Sequence, residues 1–123
     1  MLLVNEQLDN FFRSTLIVPQ NKLIITSPGT YSRNNLGKYI QKKDLVFNEV
    51  LPNPSLNQLV DFLASISIDS KTIIVAIGGG SVIDFAKLVS LFYKTHKNDI
   101  QEIIENSRFS DINTSLPVIA VPT

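Results

Sequence analysis

The sequence predicts an α/β fold, an open parallel sheet with helices on both faces. Three observations carry this. Short apolar runs alternate with segments whose apolar residues recur every three or four positions, and such alternation builds parallel strands joined by helices. One run, "TIIVAI" at residues 72–77, has almost no polar residues, as in a strand buried on both faces. That run stops at three consecutive glycines, Gly78, Gly79 and Gly80, and an amphipathic stretch follows at once.

In chain order, "NEQLDNFFRS" carries Leu8, Phe11 and Phe12 at helical spacing. "KLIITS" is a short buried strand ending at Ser27. "PGTYSRNNLGKYIQ" turns and then reads as a helix with a weak spot at Gly37. "DLVFNEV" predicts a strand. In "PNPSLNQLVDFLASI", Ser55 and Gln58 have the capping-box spacing, in which each side chain takes an orphan N–H of the other's backbone. Leu56, Leu59, Val60 and Leu63 then share a helix face that Phe62 and Ile66 extend. "SVIDFAKLVSLFYK" predicts a helix that buries Val82, Phe85, Ala86, Val89 and Phe92. "DIQEIIENS" is a more polar surface helix, and "PVIAV" is a last strand. No repeat, low-complexity tract or linker interrupts residues 1–123, which suit one domain.

Composition narrows the function. Lys plus Arg and Asp plus Glu number 11 each, without the basic excess that a nucleic-acid or membrane-surface binder needs. There is no cysteine, hence neither a disulfide framework nor a thiolate metal site. The apolar runs are too short to span a bilayer. "MLLVNEQLDNFF" has no basic leader region and is acidic early, so a soluble cytoplasmic protein is expected.

The glycines sit where α/β proteins bind ligands, beyond the carboxyl end of a strand. Glycines let a ligand approach the backbone closely. The first N–H groups of the following helix have no intrahelical partner and lie at its positive pole. Together these features suit a phosphate. The pattern is neither G-x-G-x-x-G nor a Walker A loop, since Lys87 lies on the helix. A plainer reading stays open beside it: Ser81 caps the helix, with Asp84 three residues on. A carboxylate is awkward beside a pyrophosphate, so Asp84 is expected to meet a neutral part of any ligand.

"IIVAIGGGSVIDFAK" closely resembles the G-G-G-S-x-x-D-x-A-K signature of the iron-dependent (group III) alcohol dehydrogenases. "KLIITSPG", "FNEVLPNPSLNQLVDF", "DSKTIIVAI" and "LPVIAVPT" are similar to further segments of that family in order and spacing, so the likeness spans residues 6–123. It implies a Rossmann-like nucleotide-binding domain, with NAD or NADP as cofactor and a small-molecule dinucleotide as partner. Gly79, Gly80 and Ser81, after Gly78, would hold the pyrophosphate. Asp84 would lie toward the nicotinamide, Asn53 near the adenosine half, and Thr123 at the start of a loop touching the nucleotide. Each has a bland alternative: Asn53 as a turn residue before Pro54, Thr123 as a loop hydroxyl. Dehydroquinate synthase or glycerol-1-phosphate dehydrogenase, a stand-alone nucleotide-binding module, and an unrelated flavodoxin-like interaction domain with a merely structural glycine turn remain rival readings.

Three departures matter. Many family members carry an aspartate where Ser27 stands; it binds the adenosine ribose and repels the extra phosphate of NADP. With Ser27 there and Arg33 nearby, NADP is expected to be tolerated or preferred, unless Arg33 is a solvated helix residue. The family's opening strand would be shortened to residues 2–4 or lost. After Thr123 the family has a helical domain that binds iron or zinc, so this chain alone is expected to be inactive, with no catalytic or metal-binding residue of its own. His96, the only histidine, is expected in the last turn of a helix, favoured by its dipole. A face meant for the second domain would be exposed, so a homo-oligomer is expected.

Overall fold

A computed structural model describes residues 4–107, 112 and 115–123. Strands β1 (Lys22–Thr26), β2 (Leu45–Phe47), β3 (Ile73–Gly78) and β4 (Val118–Pro122) form one sheet in the order β2-β1-β3-β4. All three pairings are parallel, with Ile24 opposite Val75 and Ala76 opposite Ala120. Helices α1 (Val4–Arg13), α2 (Pro28–Arg33), α3 (Leu56–Ser65), α4 (Gly80–Phe92) and α5 (Lys97–Glu105) connect and cover it. This is the Rossmann-like α/β arrangement expected.

Strand residues point alternately to the two faces, and both faces are covered. Leu23, Ile25, Ile74 and Ala76 pack with Leu59 and Phe62 of α3, with Phe85, Val89 and Phe92 of α4, and with Ile100 of α5. Ile24, Val75 and Ile77 pack on the other face against Leu8 and Phe12 of α1 and against Leu36. This explains why "TIIVAI" needs no polar position. Each such side chain contributes about 1.5–3 kcal/mol by leaving water. At the amino ends of the strands lies a buried ion pair. Lys22 Nζ is 3.2 Å from Asp44 Oδ1, and Asp44 Oδ2 accepts the Gln41 N–H at 2.8 Å.

The carboxyl ends of β1, β3 and β4 share one rim. Thr26 O accepts Val50 N–H at 3.2 Å, and Gly78 O accepts Thr123 N–H at 3.4 Å. Ahead of β4, Ser90 Oγ of α4 donates to Leu116 O at 2.5 Å and accepts Leu116 N–H at 3.1 Å, which fixes the approach to the strand.

Several expectations are corrected. The helix expected after Pro28 is α2 plus a separate 3-10 turn, Leu36–Tyr39. The break is Asn35 in the left-handed region (φ 50°), not Gly37, because asparagine tolerates that conformation. The strand expected over 44–50 keeps only three paired residues, since Val50 turns back to Thr26. Val4 opens α1, so no strand includes it, and residues 2 and 3 lie outside the described residues. Ser55 caps α3, accepting Gln58 N–H at 3.1 Å, but the Gln58 side chain does not complete the box. It donates instead to Glu49 O at 2.8 Å. Ser81 is not a cap either, for Gly79 is the N-cap of α4. Nor does His96 end α4. It caps α5, with Nδ1 accepting Asn98 N–H at 3.2 Å, because a helix start needs an acceptor.

Candidate functional site

β3 runs straight into the glycine turn, and the three glycines differ. Gly78 has φ +150°, and a Cβ there would lie 2.9 Å from Val82 Cγ2, so the fold itself demands glycine. Gly79 has an ordinary φ of −86°. A Cβ at Gly79 or Gly80 would meet nothing within 4 Å. The protein's own packing therefore does not explain why those two positions lack side chains.

The main-chain donors point the same way. Ile83 is the first residue of α4 to donate backwards, to Gly79 O at 3.1 Å. Gly80, Ser81 and Val82 N–H have no protein acceptor among the described residues. They open onto a cavity of about 210 Å³ lined by Gly79, Gly80, Ser81 and Val82 on one side, and by Ser27 and the Val50–Pro52 loop on the other. No charged side chain lines it. A pyrophosphate fits this donor set: free amides, a helix of 13 residues to orient their dipoles, and space that side chains would close.

The other expected residues divide. Ser27 is on the cavity wall, but its hydroxyl is committed: it caps α2, accepting Thr30 N–H at 3.3 Å and donating to Thr30 Oγ1 at 2.9 Å. Arg33 folds back along α2, so that a Cβ on Gly29 would lie 2.7 Å from its Nη1. This carries the guanidinium to the first turn of α2, two residues past Ser27. Asn53 is exposed in the left-handed region, φ 49°, and donates its N–H to Ser81 Oγ at 3.2 Å. Thr123 is exposed and hydrogen-bonded to Gly78. Asp84 is exposed on α4 and does not line the cavity. Sequence reasoning missed the wall residues Val50, Leu51 and Pro52. Leu51 is 56% exposed.

Larger hollows lie elsewhere among the described residues, including one of about 320 Å³ between the ends of α3 and α4 and the start of α5, and two of greater volume. One, of about 490 Å³, sits between α1 and the 3-10 turn, where Tyr39 donates its hydroxyl to Asp9 Oδ1 and stacks on Phe12 at 4.7 Å. The other, of about 430 Å³, lies along α3, where Gln58 is already bonded to Glu49 and Leu51. Neither is lined by the amino end of a helix that follows a glycine turn. The small cavity at the glycines is the better candidate. Among the described residues no group of three or more His, Cys, Asp or Glu side chains could hold a metal ion. No helix among them is long and apolar enough to cross a membrane.

Known proteins share this fold. The family model described as iron-containing alcohol dehydrogenase matches residues 5–123. A crystal structure of an iron-containing alcohol dehydrogenase from Thermotoga maritima superposes with a TM-score of 0.66 at 25% identity, covering 98% of this chain and 34% of that one. An NADH-dependent butanol dehydrogenase from the same organism gives 0.64 at 22% identity, over 97% of this chain and 29% of its own, and bears on fold alone. The hydroxyacid-oxoacid transhydrogenase of Caenorhabditis elegans, described as mitochondrial, is 32% identical over 81 residues, 63% of this chain and 17% of that protein. The chain thus spans about a third or less of the length of these relatives.

Proposed function

We propose a function from one premise: the chain belongs to the iron-containing alcohol dehydrogenase family, matched over residues 5–123. On this reading residues 1–123 are the nucleotide-binding part of an oxidoreductase that interconverts alcohols and aldehydes. The observation that carries it is the row of unaccepted N–H groups at Gly80, Ser81 and Val82, facing a cavity into which Gly79 and Gly80 put no Cβ. These amides bind the cofactor's diphosphate, and the α4 dipole favours its charge. Ser81 adds its hydroxyl, and the Val50–Pro52 wall keeps water from one side. Asp84, outside the cavity, avoids the diphosphate and stays near a neutral part of the cofactor. Thr123, tied to Gly78, sets the far edge. When bound, the nicotinamide dinucleotide supplies or accepts the hydride.

The described residues contain no group of three or more His, Cys, Asp or Glu that could hold a metal ion, and the reading assigns these residues the dinucleotide alone. The chain binds the dinucleotide by itself and does not turn over alcohol. Ser27 offers no carboxylate to repel a 2′-phosphate, and Arg33 reaches back over Gly29. NADP therefore binds at least as well as NAD, through an Arg–phosphate contact. The reading also takes the chain as cytoplasmic and self-associating. Import by isolated mitochondria would overturn the first, and a clean monomer in sedimentation the second.

Titration calorimetry tests the main claim. NADH and NADPH should bind the chain, and Gly80→Val should abolish the heat while leaving circular dichroism unchanged. Equal binding by wild type and Gly80→Val would refute the cradle. An NADH affinity about tenfold or more above that for NADPH would refute the NADP assignment.

A further inference from the structure

We propose that Asn53 shapes the candidate phosphate site through its main chain, with Ser81 as its partner, and not through its side chain; this rests on the dinucleotide reading above. The residue before a proline is normally held extended. Asn53 precedes Pro54, yet its φ is 49°. Residues in such sparsely populated conformations persist where their surroundings over-determine them, and they gather at functional sites. Here the surroundings are identifiable. Val50 N–H is held by Thr26 O at 3.2 Å. Leu51 N–H donates to Gln58 Oε1 at 3.4 Å, and Gln58 Nε2 donates to Glu49 O at 2.8 Å. Pro52 has no N–H. The next donor is that of Asn53, and its left-handed turn aims it at Ser81 Oγ, 3.2 Å away.

The consequence falls on Ser81. A hydroxyl has one proton to give and two positions that accept. One accepting position is filled by Asn53 N–H, and the proton has no acceptor among the described residues. Ser81 lines the cavity, so its proton is left to donate to an anion there. The Asn53 side chain makes no hydrogen bond among the described residues. Asn53 is thus a positioning residue. Its side chain matters because asparagine tolerates the left-handed region, as glycine does and alanine does not.

Calorimetric titration of NADH and NADPH into wild type, Asn53→Gly, Asn53→Ala and Ser81→Ala tests this. Asn53→Ala should weaken binding about fivefold or more, the penalty for a methyl side chain in that region. Asn53→Gly should recover most of that loss although it too removes the amide. Adding Asn53→Ala to Ser81→Ala should cost little more, since both break one contact. Equal losses in Asn53→Gly and Asn53→Ala would assign the effect to the side chain and overturn the proposal, as would no loss in either. Ligand-free amide exchange gives a second readout. Ser81→Ala should speed exchange at Asn53 about tenfold, and Ser81→Thr, which keeps the acceptor, should not. An unchanged rate in Ser81→Ala overturns the proposal. If wild type binds neither dinucleotide, the dinucleotide reading falls, and the exchange rates still decide the contact between Asn53 and Ser81.

Discussion

At the residue scale, the three glycines do two different jobs. Gly78 serves the fold, because its φ of +150° and the nearness of Val82 leave no room for a side chain. Gly78→Ala should cost about 1–3 kcal/mol of stability by urea unfolding. Gly79→Ala and Gly80→Ala should stay within about 0.5 kcal/mol of wild type, and both should lose dinucleotide affinity. The triplet itself was legible in the sequence. Its division of labour was not, because that depends on where Val82 falls one helical turn later. Tyr39 offers a pH test. Burial first, then the hydrogen bond and charge of Asp9, push its hydroxyl from 10.0 up to about 12, while Arg13 pulls the other way. The folded state thus favours the neutral phenol. The stability this adds is complete below pH 10 and is lost as pH rises toward 12. Phenolate absorbance should show one late-titrating tyrosine, which Asp9→Asn brings down.

At the element scale, strands and helices follow the apolar periodicity, and their existence could be read from the chain. Their ends could not. Ser55 and Gln58 have the spacing of a reciprocal cap, but Leu51 N–H takes the Gln58 Oε1 that the backbone N–H of Ser55 would use, while Gln58 Nε2 donates to Glu49 O. His96 was expected to finish one helix and instead starts the next, because its Nδ1 reaches Asn98 N–H. These choices turn on competing acceptors that only the folded chain brings together. Ser90 is the sharpest case, a polar residue on the buried face of α4 that clips Leu116 26 residues away. Ser90→Ala leaves the Leu116 carbonyl without that donor and should destabilise the protein by about 1–2 kcal/mol. Hydrogen exchange should then rise first in β4.

At the scale of the whole molecule, the parallel sheet and the place of the glycine turn at its carboxyl rim are both legible in the sequence, since the alternation of apolar runs and one glycine triplet after a buried strand mark them. The opposite rim is not. Lys22 reads as an ordinary strand-opening lysine, yet it is 1% exposed and pairs with Asp44. Asp44→Asn removes one charge of a buried pair and should cost about 3 kcal/mol. Lys22→Met with Asp44→Leu should lie closer to wild type, and denaturant midpoints will separate the two. The uncharged lining of the glycine cavity has a further consequence. On the proposed reading, attraction there comes from amide dipoles at hydrogen-bond range, well inside the ~8–10 Å over which dissolved ions shield a charge. Arg33, by contrast, is exposed. Raising ionic strength should therefore leave NADH affinity nearly flat while it erodes any advantage of NADPH, so that the two coenzymes converge in concentrated electrolyte.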